Sequence, residues 1–272
     1  MKKLLLLLLS VACLCAKDIV VDGYVEGEYV YLAPSFSGIL EEISVVKGQQ
    51  IKEKQSVFAV DSTMWQLKLN NAQNSVQAAK EQLLQSQAIF SNAKKEWNRA
   101  KKLIRDKAIS QGEYDMKLAN FDSANARVAE LKTQLAITEE NLQQTQRQYA
   151  QNVVTSRVNG IVSDVYFRLG EFVAQGNPVV AILPPQNVKI RFFVAEKVLP
   201  TIHYNKQVFI SYDNAPKEIL AKVSYIATSA EYTPPIIYSI QSRDKLVFMI
   251  EATFENLQEV LNPGLPVSVR IP

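Results

Sequence analysis

The chain has 272 residues, 47% of them hydrophobic, and a formal net charge of +3 with a pI near 8.7. That length supports about two domains, and so small a charge excess, with no basic cluster interleaved with aromatics, argues against nucleic acid as a partner. Cys13 and Cys15 are the only cysteines and His203 the only histidine, so there is no disulfide framework, and zinc sites and the common catalytic triads are nearly excluded.

The N-terminus reads MKKLLLLLLSVACLCAKD. Lys2 and Lys3 precede an apolar run from Leu4 to Ala16, too short for a bilayer, which takes about 20 residues. We read 1–16 as a secretory signal peptide. SVAC ending at Cys13 resembles a lipoprotein signal, although Ser10 stands where leucine is usual; cleavage after Ala12 or after Ala16 stays open. The following stretch, IVVDGYVEGEYVYLA within 17–33, reads as a strand that joins a later β unit.

SGILEEISVVKGQQIKEKQSVFAV, from Ser37 to Val60, returns without a gap as NGIVSDVYFRLGEFVAQGNPVVAI, from Asn159 to Ile182, at a constant offset of 122 residues. Gly38, Ile39, Gly48, Val57 and Ala59 recur as Gly160, Ile161, Gly170, Val179 and Ala181. Leu40, Ile43, Ile51 and Val60 meet Val162, Val165, Val173 and Ile182. Identity falls on glycines and buried-type apolar residues, the signature of one structural unit used twice.

Between the copies there is no proline, and Gly112 is the only glycine between Gly48 and Gly160. The composition, rich in Ala, Gln, Lys, Leu and Glu, predicts helix with one interruption, placed at Gly112. Leu69, Ala72, Val76, Ala79, Leu83, Ser86, Phe90, Ala93, Trp97, Ala100 and Ile104 alternate in steps of three and four. Phe121, Ala124, Val128, Leu131, Leu135, Thr138, Leu142, Thr145 and Tyr149 do the same. Two such heptad seams joined by one short break predict an antiparallel coiled-coil hairpin over 63–152, with arms of about 40 residues and roughly 60 Å. The hairpin is then an insertion between two halves of a β unit, 34–62 and 153–185.

After Pro185 come VKIRFFVAEK, QVFISYD, EILAKVSYIAT, LVFMIEATF and LPVSVRI, short segments rich in β-branched and aromatic residues that predict a small antiparallel barrel over 186–272. The fold class is therefore α+β: a long antiparallel coiled-coil α-hairpin inserted into a split β domain, followed by a β-barrel domain.

The two repeated segments resemble the halves of a lipoyl-type domain, and halves split around a coiled-coil hairpin resemble the periplasmic adaptor subunits, or membrane fusion proteins, of the HlyD-like family. Within RAKKLIRDKAIS, Arg99, Leu103 and Ser110 stand at R-x3-L-x6-S, a pattern that in this family marks the hairpin tip docking onto a TolC-like outer-membrane channel. By residue type alone, Leu103 also fits rod surface and Ser110 the N-cap of the second arm. The stretch YTPPIIYSIQSRDKLVFMIEA is similar to a segment of adaptors that serve ABC-type exporters. The end of the chain just after the last barrel strand leans the same way, since adaptors of proton-driven pumps often carry a further β domain.

The resemblance implies a non-catalytic adaptor in the periplasm of a Gram-negative bacterium, associated with the inner membrane, with lipid anchoring at Cys13 as one route. It implies an inner-membrane transporter (ABC type favoured), an outer-membrane channel and a homo-oligomeric ring, a hexamer, as partners, and no cofactor or metal. Two alternatives remain: an adaptor of a proton-driven RND or MFS pump, and a structural coiled-coil spacer of the envelope. A biotin or lipoyl carrier is disfavoured, because the turn that would bear the modified lysine is replaced by the whole hairpin.

Overall fold

The structure is a computed structural model and describes residues 18–213, 217–232, 246–254 and 261–272. The expected signal peptide with Cys13, and 233–245 of the exporter-like segment, lie outside the described residues. In chain order the elements begin with strands β1 (Ile19–Gly27), β2 (Val30–Leu32), β3 (Gly38–Ile43), β4 (Gln50–Ile51) and β5 (Ser56–Val60). Helices α1 (Thr63–Arg105) and α2 (Gln111–Ala150) follow. The chain returns to strands with β6 (Val153–Thr155), β7 (Gly160–Val165), β8 (Phe172–Val173) and β9 (Val180–Leu183). It ends in β10 (Val188–Ala195), β11 (Gln207–Ser211), β12 (Ile219–Ile226), β13 (Glu231–Tyr232), β14 (Leu246–Phe254) and β15 (Pro266–Ile271). The α+β arrangement expected from the sequence, a hairpin inserted into a split lipoyl-like domain with a barrel after it, is the one found.

The repeat builds two four-stranded sheets, β2-β9-β7-β4 and β6-β5-β3-β8, and the halves exchange their short strands. Gln50 and Ile51 pair with Ile161 and Gly160, while Phe172 and Val173 pair with Ile39 and Gly38. These two ladders map onto each other at the offset of 122, as do the β3–β5 and β7–β9 ladders with a register shift at the same place in each. The unit therefore has pseudo-twofold symmetry. Gly48 and Gly170 take φ of +84° and +85°, the left-handed region that glycine enters without a Cβ penalty, which is why both turns keep the residue. Paired positions also share the core: Val57 with Val179, Leu40 with Val162, Ile51 with Val173 and Val60 with Ile182 are all buried.

The symmetry extends further upstream than the sequence match. Tyr31 and Leu32 pair with Ala181 and Val180 as Val153 and Val154 pair with Ala59 and Phe58. The single strand expected over 17–33 is consequently two: β1 enters the barrel and β2 belongs to the lipoyl-like domain. A Cβ on Gly27, where β1 ends, would meet Leu183 Cδ1 and Pro263 Cγ at 2.8 Å each, so a larger residue there would have to displace both side chains.

Six strands close the barrel in the order β10-β1-β15-β11-β12-β14, with β14 returning to β10 and β13 adding to β14. Along β10 the residues Val188, Ile190, Phe192 and Val194 point into the core, and Lys189 and Arg191 point out. Outside, Lys189 Nζ and Arg191 Nη2 each lie 2.9 Å from the Glu251 carboxylate. Arg191 Nη2 also lies 2.7 Å from Glu26 Oε2, a charge contact off the hydrogen-bond direction, and Lys189 bonds Glu28. Burial pushes the Glu251 carboxyl up, but the hydrogen bonds from Lys189 and Arg191, with their charges, outweigh it and hold the group below the usual carboxylate range. A depressed carboxylate stabilises the fold above its unfolded pKa, and that contribution is lost as pH falls through the folded value. Glu251→Gln should therefore destabilise the barrel by about 2 kcal/mol at pH 7, since it removes the carboxylate that Lys189 and Arg191 share and leaves them only Glu28 and Glu26. The difference from wild type should shrink as the pH falls through the depressed range of the Glu251 carboxyl; thermal melts at pH 7 and at a series of acid pH values check this.

Candidate docking tip of the helical hairpin

The arms pack along the seams the periodicity predicts. Leu69, Ala72, Val76, Ala79, Ser86 and Ala100 of α1 and Val128, Leu131 and Thr145 of α2 are buried, and the remaining predicted seam residues are half-buried. With 43 residues at 1.5 Å each, α1 is about 65 Å long. At the root, Phe36 packs on Trp65 with ring centroids 4.3 Å apart. Asp61 accepts a hydrogen bond from Thr63 N, which holds its carboxyl below the usual range, and the Asn152 amide donates to Tyr149 O at 2.8 Å. The first and last turns of the rod are thus bonded where it leaves and rejoins the β domain.

The interruption lies earlier than Gly112. The chain turns over 106–110, with Lys107 at φ +53°. Ala108 N donates to Leu103 O and Lys107 N to Ile104 O, which satisfies α1's last carbonyls. Gly112 sits in the first turn of α2, where a Cβ would meet nothing within 4 Å, so it is not what breaks the helix. The α2 seam also starts before Phe121: Tyr114, Lys117 and Leu118 are already half-buried.

Below the turn the arms are locked by an aromatic layer. Trp97 stacks on Phe121 with centroids 4.5 Å apart, Phe90 lies 5.4 Å from the same ring, and the Lys101 ammonium sits 3.5 Å over Trp97. Lys117 Nζ bonds Glu96 at 2.9 Å, and this hydrogen bond, reinforced by the lysine's charge, holds the Glu96 carboxyl below its usual range. The Lys117–Glu96 pair escaped the sequence pattern because a lysine takes a seam position. The aromatics were visible only as seam residues, not as a layer.

The structure places Arg99, Leu103 and Ser110 at this end, all exposed. Arg99 and Leu103 lie one turn apart on α1, and Leu103 keeps 42% of its surface in solvent. Ser110 begins α2, its hydroxyl accepting from Glu113 N at 3.2 Å as an N-cap. The hydroxyl therefore already serves the fold. What Arg99 and Leu103 offer is a guanidinium and an apolar knob on a braced helix end, a surface suited to contact. Among the described residues no three His, Cys, Asp or Glu side chains gather to hold a metal ion, and no helix is long and apolar enough to cross a membrane.

A lipoyl-like domain split by a long hairpin and followed by a barrel is the architecture of periplasmic adaptors, a non-catalytic class also called membrane fusion proteins. Residues 75–145 match the family model described as RND MFP, alpha-helical hairpin domain. Across 94% of this chain and 78% of the other, the fold superposes on MacA from Actinobacillus actinomycetemcomitans with a TM-score of 0.76 at 19% identity. A UPF0194 membrane protein of Yersinia pseudotuberculosis is 26% identical over 92% of this chain and 88% of its own length. One of Acidithiobacillus ferridurans is 25% identical over 69% of this chain, and the match spans only 61% of that relative. The chain has the fold of these adaptors, and its residues 75–145 match the helical hairpin of the membrane fusion proteins.

Proposed function

We propose that this protein links an inner-membrane exporter to a TolC-like outer-membrane channel in the periplasm of a Gram-negative bacterium, for efflux or secretion. The observation that carries the reading is the tip: Arg99, Leu103 and Ser110 stand exposed at the end of a rod of about 65 Å, at the spacing R-x3-L-x6-S. Identical chains form a ring, a hexamer, with the lipoyl-like and barrel domains toward the transporter and the tips toward the channel. Anchoring at Cys13 and release by cleavage after Ala12 or Ala16 are the two ways the base reaches its place. For the transporter we favour an ABC exporter, supported by the likeness of Tyr232–Ala252 to segments of such adaptors. A second reading, an RND pump, has the description of the matching hairpin model in its favour.

The test is photocrosslinking in cells from Leu103, with Gln85 halfway along α1 as control. An adduct from Leu103 alone, identified by mass as an outer-membrane channel, is the expected result. No adduct, or the same adducts from both positions, would shift the reading to an envelope spacer.

A further inference from the structure

The pseudo-twofold of the lipoyl-like domain supplies its own control for what the fold requires. The tight turn at 52–55 in the first half is equivalent to the turn at 174–177 in the second, and their hydrogen bonds correspond at the offset of 122. Gln55 N donates to Lys52 O as Asn177 N does to Ala174 O, and Lys54 N donates to Ser156 O as Gly176 N does to Pro34 O. Glu53 N donates to Asn159 Oδ1 as Gln175 N does to Ser37 Oγ. The side chains do not correspond. Around the first turn stand Lys52, Lys54 and Arg157, all exposed, with Glu53 as the one acid. Their counterparts Ala174, Gly176, Ser35 and Gln175 are all neutral.

The same backbone therefore forms without the cations, and Lys54 stands against the preference of its own turn. Its φ is +67°, where Gly176 takes +81° at the equivalent place. A third turn residue at positive φ calls for glycine, because a Cβ crowds the backbone there. The cations do not serve a neighbour either. The lipoyl-like domain holds five of them. Lys47 pairs with Asp164, and Arg168 donates to Val165 O and Phe167 O. Lys52, Lys54 and Arg157, the other three, have no ion pair or side-chain hydrogen bond among the described residues.

Position narrows the kind of partner. β5 runs from this turn to the root of the rod, and a Cβ on Gly160, next to Asn159, would meet Leu183 O at 2.6 Å, where the chain leaves for the barrel. The basic turn thus lies at the barrel end of the lipoyl-like domain and its neutral twin at the rod end. A partner at the tip is a rod's length away. In the other direction, the nine residues of β1 separate Gly27 from Ile19 by about 30 Å. In the proposed orientation the barrel therefore stands between the turn and the inner membrane, which puts lipid headgroups out of reach.

We infer that Lys52, Lys54 and Arg157 bind an acidic protein surface, a cluster of Asp and Glu carboxylates on the periplasmic part of the inner-membrane transporter. Three unpaired cations on one turn attract such a surface and disfavour a basic one, and their asymmetry across the pseudo-twofold tells the partner which side of the domain to meet. The inference rests on the transporter in the proposed function and names a surface of this chain that meets it.

Photocrosslinking in cells tests it, with a photoreactive residue at Glu53 and, as control, at its twin Gln175, both exposed. Glu53 alone should give an adduct identified by mass as an inner-membrane transporter, through a peptide of net negative charge. Lys52→Gln/Lys54→Gln/Arg157→Gln should cut that adduct about tenfold at unchanged protein level. Lys54→Gly gives the turn the residue of its twin; it should raise the melting temperature, by relieving the backbone, and still lower the adduct about twofold. No adduct from Glu53, equal adducts from Glu53 and Gln175, an adduct to lipid or to a second copy of this chain, or a yield unmoved by the three glutamines would each overturn the inference. A lower melting temperature for Lys54→Gly would overturn it too, since the lysine would then serve the fold. A channel adduct from Leu103 with no transporter adduct from Glu53 would leave the adaptor reading intact and remove this one alone.

Discussion

Leu103→Asp is expected to abolish export while protein level, helical signal and melting temperature stay close to wild type. The side chain is the exposed apolar knob of the tip, with 42% of its surface in solvent, so its loss takes little from the core. A buried apolar anchor at the centre of an interface commonly carries about 2 kcal/mol or more of binding, and a carboxylate there adds a desolvation cost. An acid in the last turn of α1 also opposes the helix dipole, by about 0.5 kcal/mol. Leu103→Gln separates the two effects, since it removes the knob without the charge and should cost most of the activity too. Export at the normal rate by Leu103→Asp, at normal protein level, would refute the role of the tip.

Leu131→Asp should be the most damaging single change in the rod. Leu131 is buried between the arms at 6% exposure, where an unpaired carboxylate finds no partner. The loss of apolar burial and the desolvation of a charge together cost on the order of 4 kcal/mol. A large fall in melting temperature and in far-UV helical signal is the expected readout. Leu83→Asp makes the graded comparison, because Leu83 is half-buried and its carboxylate can reach water; it should destabilise less. Equal effects at these two seam positions would mean that depth of burial does not set the cost of a charge between the arms.

The lipoyl-like halves and the hairpin were legible in the sequence for two reasons. Glycines at positive φ are hard to replace, so Gly48 and Gly170 held the repeat in register. Seam positions admit few polar residues, so the alternation of three and four persisted along both arms. The rest was hidden by tolerance. Tyr31 and Leu32 oppose the same strand positions as Val153 and Val154, but edge strands accept different side chains, and the symmetry there left no identity to find. The turn at 106–110 hid because Lys107, not a glycine, takes the positive φ. Lys117 masked the start of the second seam. At the tip, the residue types and their spacing could be read, whereas the engagement of the Ser110 hydroxyl by Glu113 N could not.

The exchange of short strands between the halves has a consequence for how the protein reaches its fold. Gln50 cannot meet Ile161 until the intervening chain has been gathered in, and an unstructured loop of that length would make closure entropically costly and slow. The hairpin removes most of this cost. Its contacts zip from a local turn at 106–110, and once the arms have met along their length, Asp61 and Asn152 are delivered side by side, with Val60 N bonding Asn152 O at 3.0 Å. The rod that carries the tip outward is thus also the clasp that lets the two halves of the β domain find each other, so a lesion in the seam delays the assembly of a domain it does not touch.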